Sequence, residues 1–155
     1  MKTLIISTLV LGLLAGTIFL WFTKSAEESE VPSDANEYVI SFDEIGERVF
    51  IRARTWGLAG NHQEIILANE PINNKHGEYF KDRQFIFLDS TELYYKKKGA
   101  DTLLIYVDYK SDTPENLTTN IKIEQIELEG PEQIKEYKMN YERYGLSKVS
   151  VYKVP

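Results

Sequence analysis

Residues 3–22, TLIISTLVLGLLAGTIFLWF, carry no charged side chain across 20 positions, and this run limits the chain's options more than any other stretch. As a helix rising about 1.5 Å per residue it reaches about 30 Å, the thickness of a bilayer's hydrocarbon core. A cleaved secretory signal has a shorter apolar core and ends at a small-x-small site. Here the one candidate, Lys24-Ser25-Ala26, puts a lysine where a small residue is wanted, and Trp21 and Phe22 close the run as interfacial aromatics do. The sequence therefore predicts a retained transmembrane signal-anchor over residues 1–24, with secretion after cleavage as the alternative. Lys2 and the terminal amine precede the run, while Lys24 is followed by Glu27, Glu28 and Glu30. Weighting positive charge to the inner side, the amino terminus is expected to be cytoplasmic and the remainder extracytoplasmic. Gly12 and Gly16 form a G-x-x-x-G that permits close helix approach.

Beyond residue 24 the character changes. The remaining 131 of 155 residues hold all 24 acidic side chains and 16 of the 18 basic ones, a formal charge of −8. Such a surface repels nucleic acid and anionic headgroups, and no basic stripe with interleaved aromatics relieves it, so no nucleic-acid partner is expected. The chain has no cysteine, which removes disulfides and thiolate chemistry. Residues 25–37, rich in acids with one proline, read as a flexible tether.

From residue 38 onward the apolar pattern has period two. Strands are expected over 38–42, 48–56, 64–69, 84–88, 93–97, 102–109, 121–128 and 148–154. In 48–56, Val49, Ile51, Ala53 and Thr55 share the face expected to be buried; Arg52 and Arg54, on the other face, are expected to be solvated. Gly57-Leu58-Ala59-Gly60-Asn61 makes a hairpin loop, and Lys98-Gly99-Ala100-Asp101 makes a second hairpin. The strand 84–88 is expected to be covered on both faces and 102–109 to be central. Ile121 and Ile123 point to one side and Ile126 and Leu128 to the other, which suggests a bulge near Glu124-Gln125. Gly130-Pro131 opens a helix whose stripe Ile134, Tyr137, Tyr141 and Tyr144 faces inward, ended by Gly145. It is expected to pack across an open end or edge. The fold class is mainly β: an antiparallel β-sandwich or open barrel of about seven to eight strands, with one late α-helix plus the N-terminal transmembrane helix. The domain spans 38–155.

Candidate chemistry is sparse. Residues 70–83 form the longest polar interval, a binding loop or flap containing Asn73, Asn74 and His76. Trp56, Asn61 and His62 flank the first hairpin loop; Trp56 is either a platform for a sugar ring or partner, or a lid on the core. His62, Glu64 and His76 could hold zinc if the long loop folded back, the basis of an alternative reading as a metal-dependent hydrolase. Asp101, Asp108, Asp112 and Glu115 offer oxygens for calcium, although their spacing fits no EF-hand. There is no G-x-S-x-G and no phosphate-cradling glycine loop, so neither a catalytic residue nor a cofactor is assigned.

The segment Trp56-Gly57-Leu58-Ala59-Gly60-Asn61-His62, the strand after it, and the hairpin Tyr94-Tyr95-Lys96 to Asp101-Thr102-Leu103-Leu104-Ile105-Tyr106-Val107 resemble small single-domain bacterial envelope proteins, often lipoproteins, over residues 48–109. This chain lacks their anchoring cysteine: Thr17 follows Leu14-Ala15-Gly16 where it would stand. The resemblance implies an envelope location and supplies no catalytic residue. The expected role is a membrane-tethered binding or structural module, held by residues 3–22 and touching a protein or envelope partner. An outward-facing inhibitor or immunity protein also fits the acidity and size.

Overall fold

The computed structural model describes residues 35–57, 60, 62–73 and 78–152. The apolar run 3–22, most of the acidic tether, and Asn61, Asn74 and His76 lie outside the described residues. The described residues all belong to the unit Ser33–Pro155. Among them, eight strands form two four-stranded sheets and one short α-helix follows late in the chain.

The first sheet is an antiparallel meander, β1 (Ala35–Phe42), β2 (Glu47–Trp56), β3 (His62–Ala68) and β4 (Phe85–Leu88), in that spatial order. The second contains β5 (Glu92–Lys98), β6 (Thr102–Val107), β7 (Lys122–Glu127) and β8 (Ser147–Ser150), in the order β7-β6-β5-β8. Both hairpins read from the sequence are present, with Trp56 opposite His62 and Lys98 opposite Thr102. One core draws on both sheets: Ile40, Ile51, Ile65 and Phe87 from the first meet Leu93, Leu103, Ile105 and Val149 from the second. Val49, Ile51 and Ala53 are buried as the alternation predicts.

Several strand expectations change. β7 runs parallel to β6, not antiparallel. The segment 108–121 leaves β6 at one end and returns to the other, where the Lys122 amide bonds the Asp101 carbonyl at 2.8 Å; such a long crossover is what a parallel pair requires. The register from Thr102–Lys122 to Val107–Glu127 is unbroken, so no bulge forms. Ile121 and Ile123 face the central core, while Ile126 and Leu128 face a second cluster on the other side; the strand is apolar on both faces because both are covered. The strand 84–88 is an edge strand: Phe85 and Phe87 are buried, but Leu88 is exposed.

The helix α1 (Gly130–Asn140) has Pro131 in its first turn and runs into a 3-10 turn, Tyr141–Tyr144. Gly145 ends it at φ 66°, a left-handed conformation that costs glycine little. The helix lies on the outer face of the second sheet, not across an open end: Ile134, Tyr137 and Tyr141 pack on Tyr94, Leu104 and Tyr106. Tyr137 stacks on Tyr106 and Tyr141 on Tyr94, both at 5.4 Å.

Side chains tie the sheet edges, which would otherwise offer unpaired backbone. On one side Asn36 and the Tyr38 hydroxyl donate to the Ser150 carbonyl at 2.9 and 3.2 Å. On the other, the Ser111 hydroxyl accepts the Ile86 amide at 2.8 Å, while Ser111 exchanges two bonds with the Gln125 amide group.

Candidate functional site

The outer face of the first sheet carries what helix α1 does not cover. Strand register lays its side chains in cross-strand rows: Phe50 opposite Ala68, Arg52 opposite Ile66, Arg54 opposite Glu64 and Trp56 opposite His62. Residues one row apart share a face because side chains alternate along a strand. Apolar and charged residues are thus interleaved on one surface.

Residues 70–73 and 78–83 flank this surface, and Ile72 and Tyr79 lie over it. Ile72 packs on Ile66 and Ala68, with Phe50 and Tyr79 against the same cluster, and Arg52 donates to the Ile72 carbonyl at 3.0 Å. The cover buries the third row. Arg54 is 1% exposed and Glu64 is 0% exposed, so the expectation of a solvated Arg54 is overturned. The Arg54 Nε–H donates to Glu64 Oε1, forming an ion pair in the interior. Tyr79 donates its hydroxyl to Glu64 Oε2 at 2.5 Å. Burial, and then the bond to Glu64, raise the Tyr79 phenol well above its usual range; it stays protonated and donating. Removal from water costs each ion several kcal/mol, about what a well-formed partner returns.

Trp56 extends the network outward. Its ring stacks on His62 at 5.5 Å, and the Arg54 guanidinium lies 5.9 Å from its centroid, a cation–π geometry. One face of the indole is therefore already engaged. His62 is exposed and Glu64 buried. Both Glu64 oxygens already accept hydrogen bonds, one from Arg54 and one from Tyr79. Among the described residues no three His, Cys, Asp or Glu side chains gather as a metal-binding group. Asp101 and Asp108 flank β6 at opposite ends.

Two larger clefts and a smaller one of about 130 Å³ flank residues 70–73 and 78–83. One, of about 320 Å³, is walled by residues of 68–73 and 78–84, including Asn73, Phe80 and Gln84. The other, about 240 Å³, lies between Tyr79, Leu88 and Tyr109. Of the residues singled out in sequence, Asn73 lines the first cleft, and Trp56 and His62 form a stack at the far end of the sheet face. Sequence reasoning missed Arg54, Tyr79, Phe80 and Gln84. For Arg54 a signal existed: it stands as far before the hairpin loop as Glu64 stands after it.

The second sheet holds a smaller polar group. Glu92 accepts the Tyr94 hydroxyl at 2.8 Å and pairs with Lys148 and Lys138 at 3.5 and 3.8 Å. Crowding at this end, and then the Glu92 carboxylate, raise the Asp108 carboxyl above its ordinary value. No family model matches the chain, and neither a curated protein nor a solved structure does.

Proposed function

We propose that the chain is a membrane-tethered, extracytoplasmic binding module of the cell envelope, with a β-sandwich head that holds its partner through the surface built by residues 70–83. The 20-residue uncharged run supports the tether, and the acidic head argues against nucleic acid or anionic lipid as partner. A single core shared by two sheets with tied edges supports the sandwich. The observation that carries binding rather than catalysis is the covering loop itself. It holds Glu64, wholly buried, in an ion pair and leaves a cleft of about 320 Å³ at its margin.

Fractionation of cells expressing the full chain tests this reading. The intact polypeptide should resist carbonate extraction from membranes, its head should be cleaved by protease added outside, and purified chain should be retained by isolated envelope material. Free cytosolic protein, or purified chain that envelope material does not retain, overturns it. Stoichiometric zinc that disappears on His62→Ala would favour the hydrolase reading instead.

A further inference from the structure

The cleft beside residues 70–83 has donors and acceptors in fixed positions. Gln84 is 7% exposed, and its side-chain oxygen accepts the Phe80 amide at 3.2 Å. Its amide nitrogen is thereby left to donate, and Gln84 lines this cleft. Asn69, on the same wall, has the opposite polarity: its nitrogen donates to the Thr118 carbonyl at 2.6 Å, which leaves its oxygen to accept. Phe80 lines the same cleft, 42% exposed, with the Arg83 guanidinium 4.5 Å from its ring centroid. Among the described residues, Glu70 and Glu78 also line it.

This set selects by chemistry. A phosphate or carboxylate ligand would meet Glu70 and Glu78. A cationic ligand would be drawn by Glu70 and Glu78 but opposed by Arg83. An apolar ligand would strand the Gln84 donor without a partner, a costly outcome for a side chain this buried. A hydroxyl group both donates and accepts, so it satisfies Gln84 and Asn69 alike, while the C–H face of a sugar ring can lie on the exposed part of an aromatic ring. We propose that the cleft formed by Asn69, Asn73, Phe80 and Gln84 binds a neutral, hydroxyl-rich saccharide ring. This deepens the reading of the chain as an envelope-binding module and rests on it.

The test uses the full chain in a zwitterionic detergent without a sugar headgroup, titrated calorimetrically with a tetramer of N-acetylglucosamine and a tetramer of glucose. At least one should bind with a Kd of about 1 mM or tighter. Phe80→Ala, a surface change, should weaken it about tenfold. Gln84→Glu keeps the oxygen that accepts the Phe80 amide but removes the donor, and should weaken it by a similar factor; thermal unfolding of Phe80→Ala should be unchanged, whereas the buried carboxylate of Gln84→Glu should lower it. If Gln84→Glu does not fold, Phe80→Ala decides. Failure of both saccharides, affinity unaltered by Phe80→Ala, or binding of hexalysine or pyrophosphate in their place overturns the proposal. Retention on envelope material with no saccharide binding removes this inference alone and leaves the broader reading standing.

Discussion

The two sheets each present an outer face that needs a cover, and they obtain it by opposite means. On the second sheet a helix lays tyrosines on Tyr94, Leu104 and Tyr106. On the first, an irregular loop lays Ile72 and Tyr79 over a surface that contains an Arg–Glu pair. The helical cover gains from area and ring stacking, which tolerate small displacements. The loop cover gains from directional bonds that are lost once a partner moves. Irregular backbone also leaves clefts that a helix laid on a sheet fills, and this is why the candidate site lies on the first sheet.

Breaking the buried pair should separate the two faces most sharply. Glu64→Leu leaves the Arg54 charge buried without its carboxylate and should cost about 3–5 kcal/mol in urea unfolding of the full chain. The double change Arg54→Met with Glu64→Leu should recover most of that loss, since replacing both ions removes both desolvation penalties. A double variant as unstable as the single would mean that the pair itself, rather than its burial, holds the loop.

On the helical side, Leu104→Ala should cost about 3 kcal/mol through the cavity it opens beneath α1. No second substitution among the tyrosines should restore it, in contrast to the ion pair. A loss below about 1 kcal/mol would show that the helix contributes little to the fold.

Tyr79→Phe sharpens the comparison at lower cost. It keeps the ring and removes the bond to Glu64, for an expected loss of about 1–2 kcal/mol. Amide exchange across 78–83 should accelerate while that of α1 does not change. Equal acceleration in both elements would contradict independent covers.

The smallest effect concerns Glu47, a half-buried residue whose carboxylate accepts from the Thr119 hydroxyl and the Asn120 amide. The Thr119 bond is the main reason its carboxyl is held below the ordinary glutamate value. The folded state therefore binds this proton less readily than the unfolded chain. The contribution is complete above the unfolded value and is lost as pH falls through the lower folded one. Glu47→Gln should accordingly flatten the decline in melting temperature in that acid window and leave the slope near neutral pH unchanged.

Much of the strand layout was legible because burial imposes period two. Val49, Ile51 and Ala53 named their inner face, and 102–107 announced a central strand by being apolar on both sides. The cover of the first sheet was legible only in part. The run Ile65-Ile66-Leu67 already required apolar contact on both faces, and Ile72 and Tyr79 were suitable partners in an otherwise polar interval. What misled was charge: an arginine in an alternating strand is usually solvated, and nothing local marks the one that a distant loop will enclose.

The sequence by itself determined the alternation, the two hairpins, the helix with its glycine stop and the uncharged run, since each is written in neighbouring residues. Tertiary structure alone decided that β7 runs parallel to β6, that α1 lies on a sheet face, and that Arg54, Glu64 and Tyr79 meet in the interior. These depend on which surfaces remain to be covered once the sheets have formed, a property of the assembled chain that no local pattern of residues encodes.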